Sequence, residues 1–158
     1  MIAAQEITAQ FVMDAIQKME PKKEKLILLV GKPGSGKSRV LRELAQQKGY
    51  RYVECQELFT DELMEMLPGQ RTKKAAEEMA RALGRFGADV ILLDGIADLY
   101  APMLGLEPLD LVRTLSEDQK IIAAWPGLYE ENQLRFEHQP GVKDKVYSAE
   151  GLEFIEIS

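Results

Sequence analysis

The 158-residue sequence contains a single cysteine, Cys55, and a single histidine, His138. One cysteine cannot form an internal disulfide, and neither residue has the neighbouring Cys or His side chains that a zinc site needs. No apolar run approaches the roughly 20 residues that span a bilayer, and the amino terminus lacks the basic and apolar segments of a secretory signal. These absences argue against a disulfide-stabilised scaffold and predict a cytoplasmic protein that does not associate with membranes.

Basic side chains are fewer than acidic ones, and the charge is unevenly distributed along the chain. The chain has 26 acidic and 20 basic side chains, a formal net charge of -6. Residues 1–48 carry a balance of +4 and residues 49–158 a balance of -10. Phosphate contacts dominate DNA affinity and need a basic surface, so we do not expect strong direct binding of nucleic acid. A compact anionic ligand held by the N-terminal third fits this distribution better.

Strand-like and helix-like segments alternate along the chain. Periodicity and turn residues predict helices at 3–19, 37–47, 61–67, 72–86 and 108–115, and strands at 26–30, 50–54, 89–94, 120–125, 134–137 and 152–157. We expect Pro126-Gly127 to end the fourth strand. Apolar strands that alternate with helices are typical of a sheet covered on both faces. The sequence therefore predicts an α/β three-layer sandwich, one domain over 1–158, with a mostly parallel sheet of five or more strands.

The two ends of this predicted domain have their own patterns. An N-terminal amphipathic helix within residues 1–20 is predicted from one apolar stripe. The stripe consists of Ile7, Phe11, Ala15 and Met19, with Val12 and Ile16 alongside. Residues 130–158 are predicted to form C-terminal strands.

The segment Gly31-Lys32-Pro33-Gly34-Ser35-Gly36-Lys37-Ser38 matches the phosphate-loop pattern G-x-x-x-x-G-K-[ST]. Its glycines permit positive φ and remove Cβ atoms, so that backbone amides can converge on a phosphate. The helix that follows adds its N-terminal donors and dipole. We expect Lys37 to contact the β- and γ-phosphates and the Ser38 hydroxyl to ligate Mg²⁺. These eight residues and Arg39 are the predicted cofactor-binding residues, and the predicted cofactors are ATP and Mg²⁺.

A carboxylate at the end of a second apolar strand completes the predicted site. Asp94 follows Val90–Leu93, which is the Walker B pattern, and is predicted to hold Mg²⁺ directly or through water. The next residue is Gly95, where many hydrolytic ATPases carry a glutamate that polarises the attacking water. Fast hydrolysis is therefore not expected. Glu54, at the end of the neighbouring strand, is a candidate base, with a plain capping or surface role as the alternative.

The order of these motifs favours the P-loop subclass in which one strand separates the phosphate-loop strand from the Asp94 strand. By analogy with that subclass, the expected strand order is 5-1-4-3-2. The tip of the fourth strand carries Trp125, which we interpret as a packing residue. Candidates for an arginine finger that acts across a subunit interface are Arg71, Arg85, Arg113 and Arg135. His138 is assigned no catalytic role.

Several further stretches resemble one family of small P-loop proteins. They are Leu92-Leu93-Asp94-Gly95, Leu99-Tyr100-Ala101-Pro102, Leu109 to Ser116, and Ala124-Trp125-Pro126-Gly127. Together with Lys37 and Ser38, they are similar to the BrxF family of bacteriophage exclusion (BREX) defence systems. The resemblance implies a bacterial cytoplasmic component that acts with a larger ATPase, a DNA methyltransferase and a PglZ-type protein. Gly95 and the apolar end of the predicted fourth strand then suggest a slow ATPase or a nucleotide-dependent assembly factor, for which a homo-oligomer is a further expectation.

Two other classes of function compete with a nucleotide-dependent switch. A small-molecule kinase would need a lid with basic residues over the phosphates, and residues 55–75, with Arg71, Lys73 and Lys74, are the lid candidate. A DNA-binding motor subunit is disfavoured by the charge balance. The short chain, which shows no substrate domain in its sequence, favours the switch.

Overall fold

The computed structural model describes residues 4–19, 23–32, 34–66, 72–97, 108–136 and 145–157. Its helices are α1 (Ala4–Gln17), α2 (Lys37–Leu44), α3 (Asp61–Met66), α4 (Thr72–Gly84) and α5 (Pro108–Leu115). Its strands are β1 (Leu26–Gly31), β2 (Tyr50–Glu54), β3 (Val90–Asp94), β4 (Lys120–Glu130), β5 (Gln133–Phe136), β6 (Lys145–Ser148) and β7 (Glu153–Glu156). A short 3₁₀ helix, Cys55–Leu58, follows β2. None of the helices in these described ranges is long and apolar enough to cross a membrane.

Five strands form a parallel sheet in the order β7-β1-β4-β3-β2. This confirms the expected order 5-1-4-3-2, with β7 as the fifth strand. Strand β4 lies between β1 and β3, so the carboxyl ends of all three strands meet at one edge of the sheet. This arrangement brings the end of β1 and the end of β3 close together, although 56 residues separate Ser38 from Asp94 in the chain.

The prediction that Pro126-Gly127 ends the fourth strand is wrong. Strand β4 continues to Glu130, and its last four residues pair antiparallel with β5, which in turn pairs with β6. A Cβ on Gly127 would overlap the Arg135 carbonyl oxygen, so only glycine lets the β5 backbone approach this closely. Glu131 and Asn132, both with positive φ, form the two-residue turn between β4 and β5. Strand β6 lies within residues 130–158, where C-terminal strands are predicted, but its own residues were not predicted as a strand.

The sheet separates two apolar cores, which gives the three layers that the sequence predicts. Alternate residues of β1 and β3 enter opposite cores because side chains alternate along a strand. Leu28 and Ile91 join the core beneath α4 and α5, whereas Leu29 and Leu92 join the core beneath α1 and α2. Packing on both faces of the sheet holds the ends of β1 and β3 at the edge where the phosphate loop begins.

Helix α1 packs against α2 through only part of its predicted stripe. The buried residues are Ala9, Val12, Ile16 and Met19, whereas Phe11 is 61% exposed. The buried set follows the spacing of three and four residues that a helix needs to keep one face on its neighbour. Phe11 belongs to the predicted stripe but lies outside the contact face, because a strict four-residue repeat drifts around the helix.

Candidate functional site

The predicted phosphate loop lies between β1 and α2 at the carboxyl edge of the sheet. Gly34 and Gly36 have φ values of 84° and 105°, a region that L side chains rarely adopt. Gly36 is the residue immediately before α2, and its carbonyl accepts the helical hydrogen bond from the Val40 amide at 3.1 Å. The backbone conformation thus requires glycine where the motif has it, at the amino end of a helix. Pro33 lies outside the described residues.

Gly31 is needed for a different reason, which is close packing. A Cβ at this position would overlap the Ser35 side chain and lie 2.6 Å from the Ile157 carbonyl oxygen. The Ile157 amide donates to the Val30 carbonyl at 2.7 Å, so the chain beyond β7 lies directly beside the loop. The start of the loop is therefore tightly enclosed by the last strand of the sheet.

Lys37, on the first turn of α2, points back into the loop. Only 8% of the residue is exposed. Its ammonium donates to the carbonyl oxygens of Gly31 and Lys32, the latter at 2.8 Å, and to the Ser35 hydroxyl at 3.3 Å. These bonds hold a positive charge at the centre of the loop, as a phosphate site requires.

The Asp94 carboxylate meets the loop at Ser38. The Ser38 hydroxyl donates to Asp94 Oδ2 at 2.6 Å, and the Gly95 amide donates to Asp94 Oδ1 at 2.9 Å. The structure therefore brings together the two residues that the sequence predicts as metal ligands.

Sequence reasoning missed Tyr52, whose phenol donates to Asp94 Oδ2 at 2.6 Å. Burial and the bond to Asp94 raise the pKa of this phenol, so it stays protonated and acts as a donor. The guanidinium of Arg42 lies 5.4 Å from the centre of the ring. The sequence does contain a signal for this position. Tyr52 precedes Glu54 by two residues, so the two side chains project from the same face of β2.

Glu54 occupies the end of β2, where the parallel register pairs it with Asp94. The residue is exposed and precedes the 3₁₀ helix, with which it forms a capping box through Glu57. The Glu54 amide donates to the Glu57 carboxylate at 2.8 Å. The structure thus shows the capping role that was the alternative, and a role as base stays a prediction. Lys32 and Arg39, also predicted to bind the cofactor, are exposed.

The end of the parallel part of β4, beside the phosphate loop, is packed rather than open. Trp125 is fully buried and makes edge-to-face contacts with Phe136 and Tyr147, each at 5.5 Å between ring centres. Its indole donates to the Arg135 carbonyl at 3.3 Å. The interpretation of Trp125 as a packing residue is confirmed.

The four arginine-finger candidates lie in different environments. Arg113 makes two hydrogen bonds to the Glu24 carboxylate, at 3.0 and 2.9 Å, and is therefore engaged within its own chain. Arg85 and Arg135 are exposed. Arg71 lies outside the described residues, as does His138.

The Ser38 and Asp94 oxygen atoms at the loop are suitable ligands for Mg²⁺. A serine hydroxyl and one carboxylate are hard oxygen ligands, and Mg²⁺ usually takes one or two protein oxygens, substrate phosphates and water. In the part of the chain that the structure describes, no cluster of three or more His, Cys, Asp or Glu residues could hold a metal alone. This sparse oxygen set fits a cation shared with a bound phosphate better than a site built by the protein alone.

Comparison with known proteins agrees with this geometry. Residues 26–98 match the model of an AAA domain. The chain is similar to the crystal structure of a DNA replication initiation factor, with 20% identity and a TM-score of 0.53 over 99% of this chain and 47% of that one. Similarity to the structure of C. elegans PCH-2 is lower, with 17% identity and a TM-score of 0.45 over 77% of this chain and 37% of that one.

The chain thus spans about half the length, or less, of the solved structures it resembles. No curated protein shows significant sequence similarity to it. The phosphate-loop motif, the strand order and the AAA match over β1 to β3 together define the fold as that of P-loop NTPases.

Proposed function

We propose that this protein binds ATP with Mg²⁺ at residues 31–39 and acts as a slowly hydrolysing, nucleotide-dependent switch or assembly subunit. The observation that carries the proposal is the 2.6 Å contact between the Ser38 hydroxyl and Asp94. It joins the loop in which Gly34 and Gly36 have positive φ to a carboxylate from a separate strand, which is the minimal protein part of a Mg²⁺-nucleotide site.

Each part of the loop has a distinct task in this proposal. The amides at the start of α2 and the Lys37 ammonium bind the phosphate oxygens. Ser38 and Asp94 hold the metal, which when bound would neutralise charge on the β- and γ-phosphates. The close packing of Gly31 against Ile157 leaves no room for a side chain at the start of the loop.

Slow hydrolysis is supported by the groups around Asp94. Gly95 supplies no side chain that could orient water, and the buried Trp125 places an apolar ring where the parallel part of β4 ends. Glu54 is in a capping box with Glu57, which competes with a role in proton abstraction. Without an aligned base, the attacking water lacks the activation that fast ATPases supply.

A role within a bacterial anti-phage defence complex belongs to the same proposal. Its support is the sequence resemblance to BrxF, which implies partners such as a larger ATPase. A nucleotide that orders a protein interface would make this small domain a switch. Size-resolved titration of the protein with candidate partners, with and without ATP, tests this part, and self-association would appear in the same measurement.

The central test is calorimetric titration of the protein with ATP in the presence of Mg²⁺. We expect saturable binding of one ATP per chain. A phosphate-release assay with and without added nucleosides then separates the switch from the small-molecule kinase. Acceptor-dependent transfer would favour the kinase, and a protein that binds no nucleoside triphosphate would contradict both.

Asp94→Ala is expected to remove the Mg²⁺-dependent part of the ATP affinity. The dissociation constant measured with Mg²⁺ should rise about tenfold or more, since a charged metal contact is lost, while the constant measured in EDTA changes little. Asp89→Ala is the matched control because Asp89 is an exposed aspartate just before the same strand. Equal Mg²⁺ dependence in Asp94→Ala and the unmodified protein would refute the assignment of Asp94.

A further inference from the structure

The Asp94 carboxylate is already heavily bonded within the chain. Oδ2 accepts one hydrogen bond from Ser38 and one from Tyr52, and Oδ1 accepts one from the Gly95 amide. A carboxylate has about four acceptor positions, two on each oxygen. Both positions on Oδ2, the oxygen next to Ser38, are therefore occupied.

The three bonds differ in their compatibility with a cation. A serine hydroxyl can donate its hydrogen to a carboxylate while its lone pairs face a metal. The Gly95 amide uses the other carboxylate oxygen. The Tyr52 phenol takes the second acceptor position on Oδ2, the oxygen beside Ser38, where Mg²⁺ held by the Ser38 hydroxyl, or a water molecule bound to it, would contact Asp94.

Tyr52 is not required to orient the carboxylate. Ser38 and Gly95 already hold its two oxygens from two different segments of the chain. The Tyr52 ring is itself fixed, since it is half-buried against the core beneath α1 and α2 and lies under Arg42. The Tyr52 hydroxyl thus adds a third hydrogen bond to the Asp94 carboxylate, which the bonds from Ser38 and Gly95 already align.

We propose that Tyr52 acts through Asp94 and opposes Mg²⁺ binding there. Its hydroxyl occupies the second acceptor position on Oδ2, the oxygen beside Ser38, so Mg²⁺ shared by Ser38 and this oxygen must displace the Tyr52 hydrogen bond. The inference rests on the proposed function, because it presupposes that Ser38 and Asp94 hold Mg²⁺ beside a nucleotide. Its consequence is that the chain's own tyrosine weakens the Mg²⁺-dependent part of nucleotide affinity.

The test compares Tyr52→Phe with the unmodified chain by calorimetric titration with ATP, in Mg²⁺ and in EDTA. Removing one hydrogen bond to a charged acceptor should lower the dissociation constant in Mg²⁺ about three- to tenfold. The constant in EDTA should stay unchanged. The phenylalanine ring keeps the packing and the Arg42 contact, so thermal unfolding without ligand should remain close to that of the unmodified protein.

Tyr50→Phe is the matched control. Tyr50 lies on the same strand and the same face, two residues earlier, and lines a cavity of about 500 Å³ at the opposite edge of the sheet. Loss of its hydroxyl should change neither dissociation constant. The Tyr52 ring signals in nuclear magnetic resonance should also move when Mg²⁺ is added to the ATP complex of the unmodified protein.

The outcomes separate this inference from the function on which it rests. Unchanged or weaker Mg²⁺-dependent affinity in Tyr52→Phe, while the unmodified chain binds ATP with Mg²⁺, would overturn the role of Tyr52 and leave the proposed function intact. An equal gain in Tyr50→Phe would also overturn it. Failure of the unmodified chain to bind ATP would overturn both.

Discussion

Lys37→Ala should raise the dissociation constant for ATP at least about 100-fold, because two charge-assisted hydrogen bonds to phosphate are lost. The ammonium is buried in the loop, held by the Gly31 and Lys32 carbonyls and the Ser35 hydroxyl. No other side chain of the described loop places a positive charge at its centre. Calorimetry with ATP and Mg²⁺ measures the loss.

Lys48→Ala is the matched control for this substitution. Lys48 lies outside the loop, between α2 and β2, and its side chain is exposed. Its removal changes the net charge by the same amount, so a general electrostatic effect would appear in both variants. We expect a change of about threefold or less for Lys48→Ala, since an exposed charge outside the site contributes little. ATP binding by Lys37→Ala with the affinity of the unmodified protein would contradict the proposed site.

Gly127→Ala is expected to destabilise the fold by about 3 kcal/mol, near the upper end of the cost of overpacking. The added methyl group would overlap the Arg135 carbonyl, which belongs to a paired strand and cannot move alone. The strain should separate β5 from β4 and loosen the packing of Trp125, whose indole donates to the same carbonyl. Denaturant unfolding followed by tryptophan fluorescence reports both effects.

Gly84→Ala provides the comparison for this prediction. Gly84 is the last residue of α4, and a Cβ there would meet no atom within 4 Å. Alanine has the higher helix propensity, so the variant should be more stable by about 0.5 kcal/mol. If Gly127→Ala unfolds at the same denaturant concentration as the unmodified protein, the close approach of β4 and β5 is not as described.

Much of the site was predictable from local sequence. Gly34 and Gly36 have the positive φ that the motif requires, and Lys37 begins the helix expected after the loop. The apolar run before Asp94 forms the expected buried strand. These features follow from backbone conformation and from hydrophobic periodicity, which depend on neighbouring residues and are therefore visible in one sequence.

Other features depend on contacts between distant segments. Tyr52 reaches Asp94 because β2 and β3 pair in a register that sets Tyr52 opposite Leu92, two residues before Asp94. Phe11 is exposed because the approach of α1 to α2 selects a different face of the helix. Local patterns alone do not fix the strand register or the exact rotation of a helix about its axis.

The sequence by itself determined the phosphate loop, the alternation of strands and helices and, by analogy, the strand order. Each of these follows from residues close together in the chain or from a motif whose backbone chemistry is specific. Only the tertiary structure decided that β4 passes through Pro126 and Gly127 into a hairpin and that Tyr52 shares Asp94 with Ser38. The physical reason is that both features arise where separately folded strands meet, at distances set by packing rather than by chain neighbours.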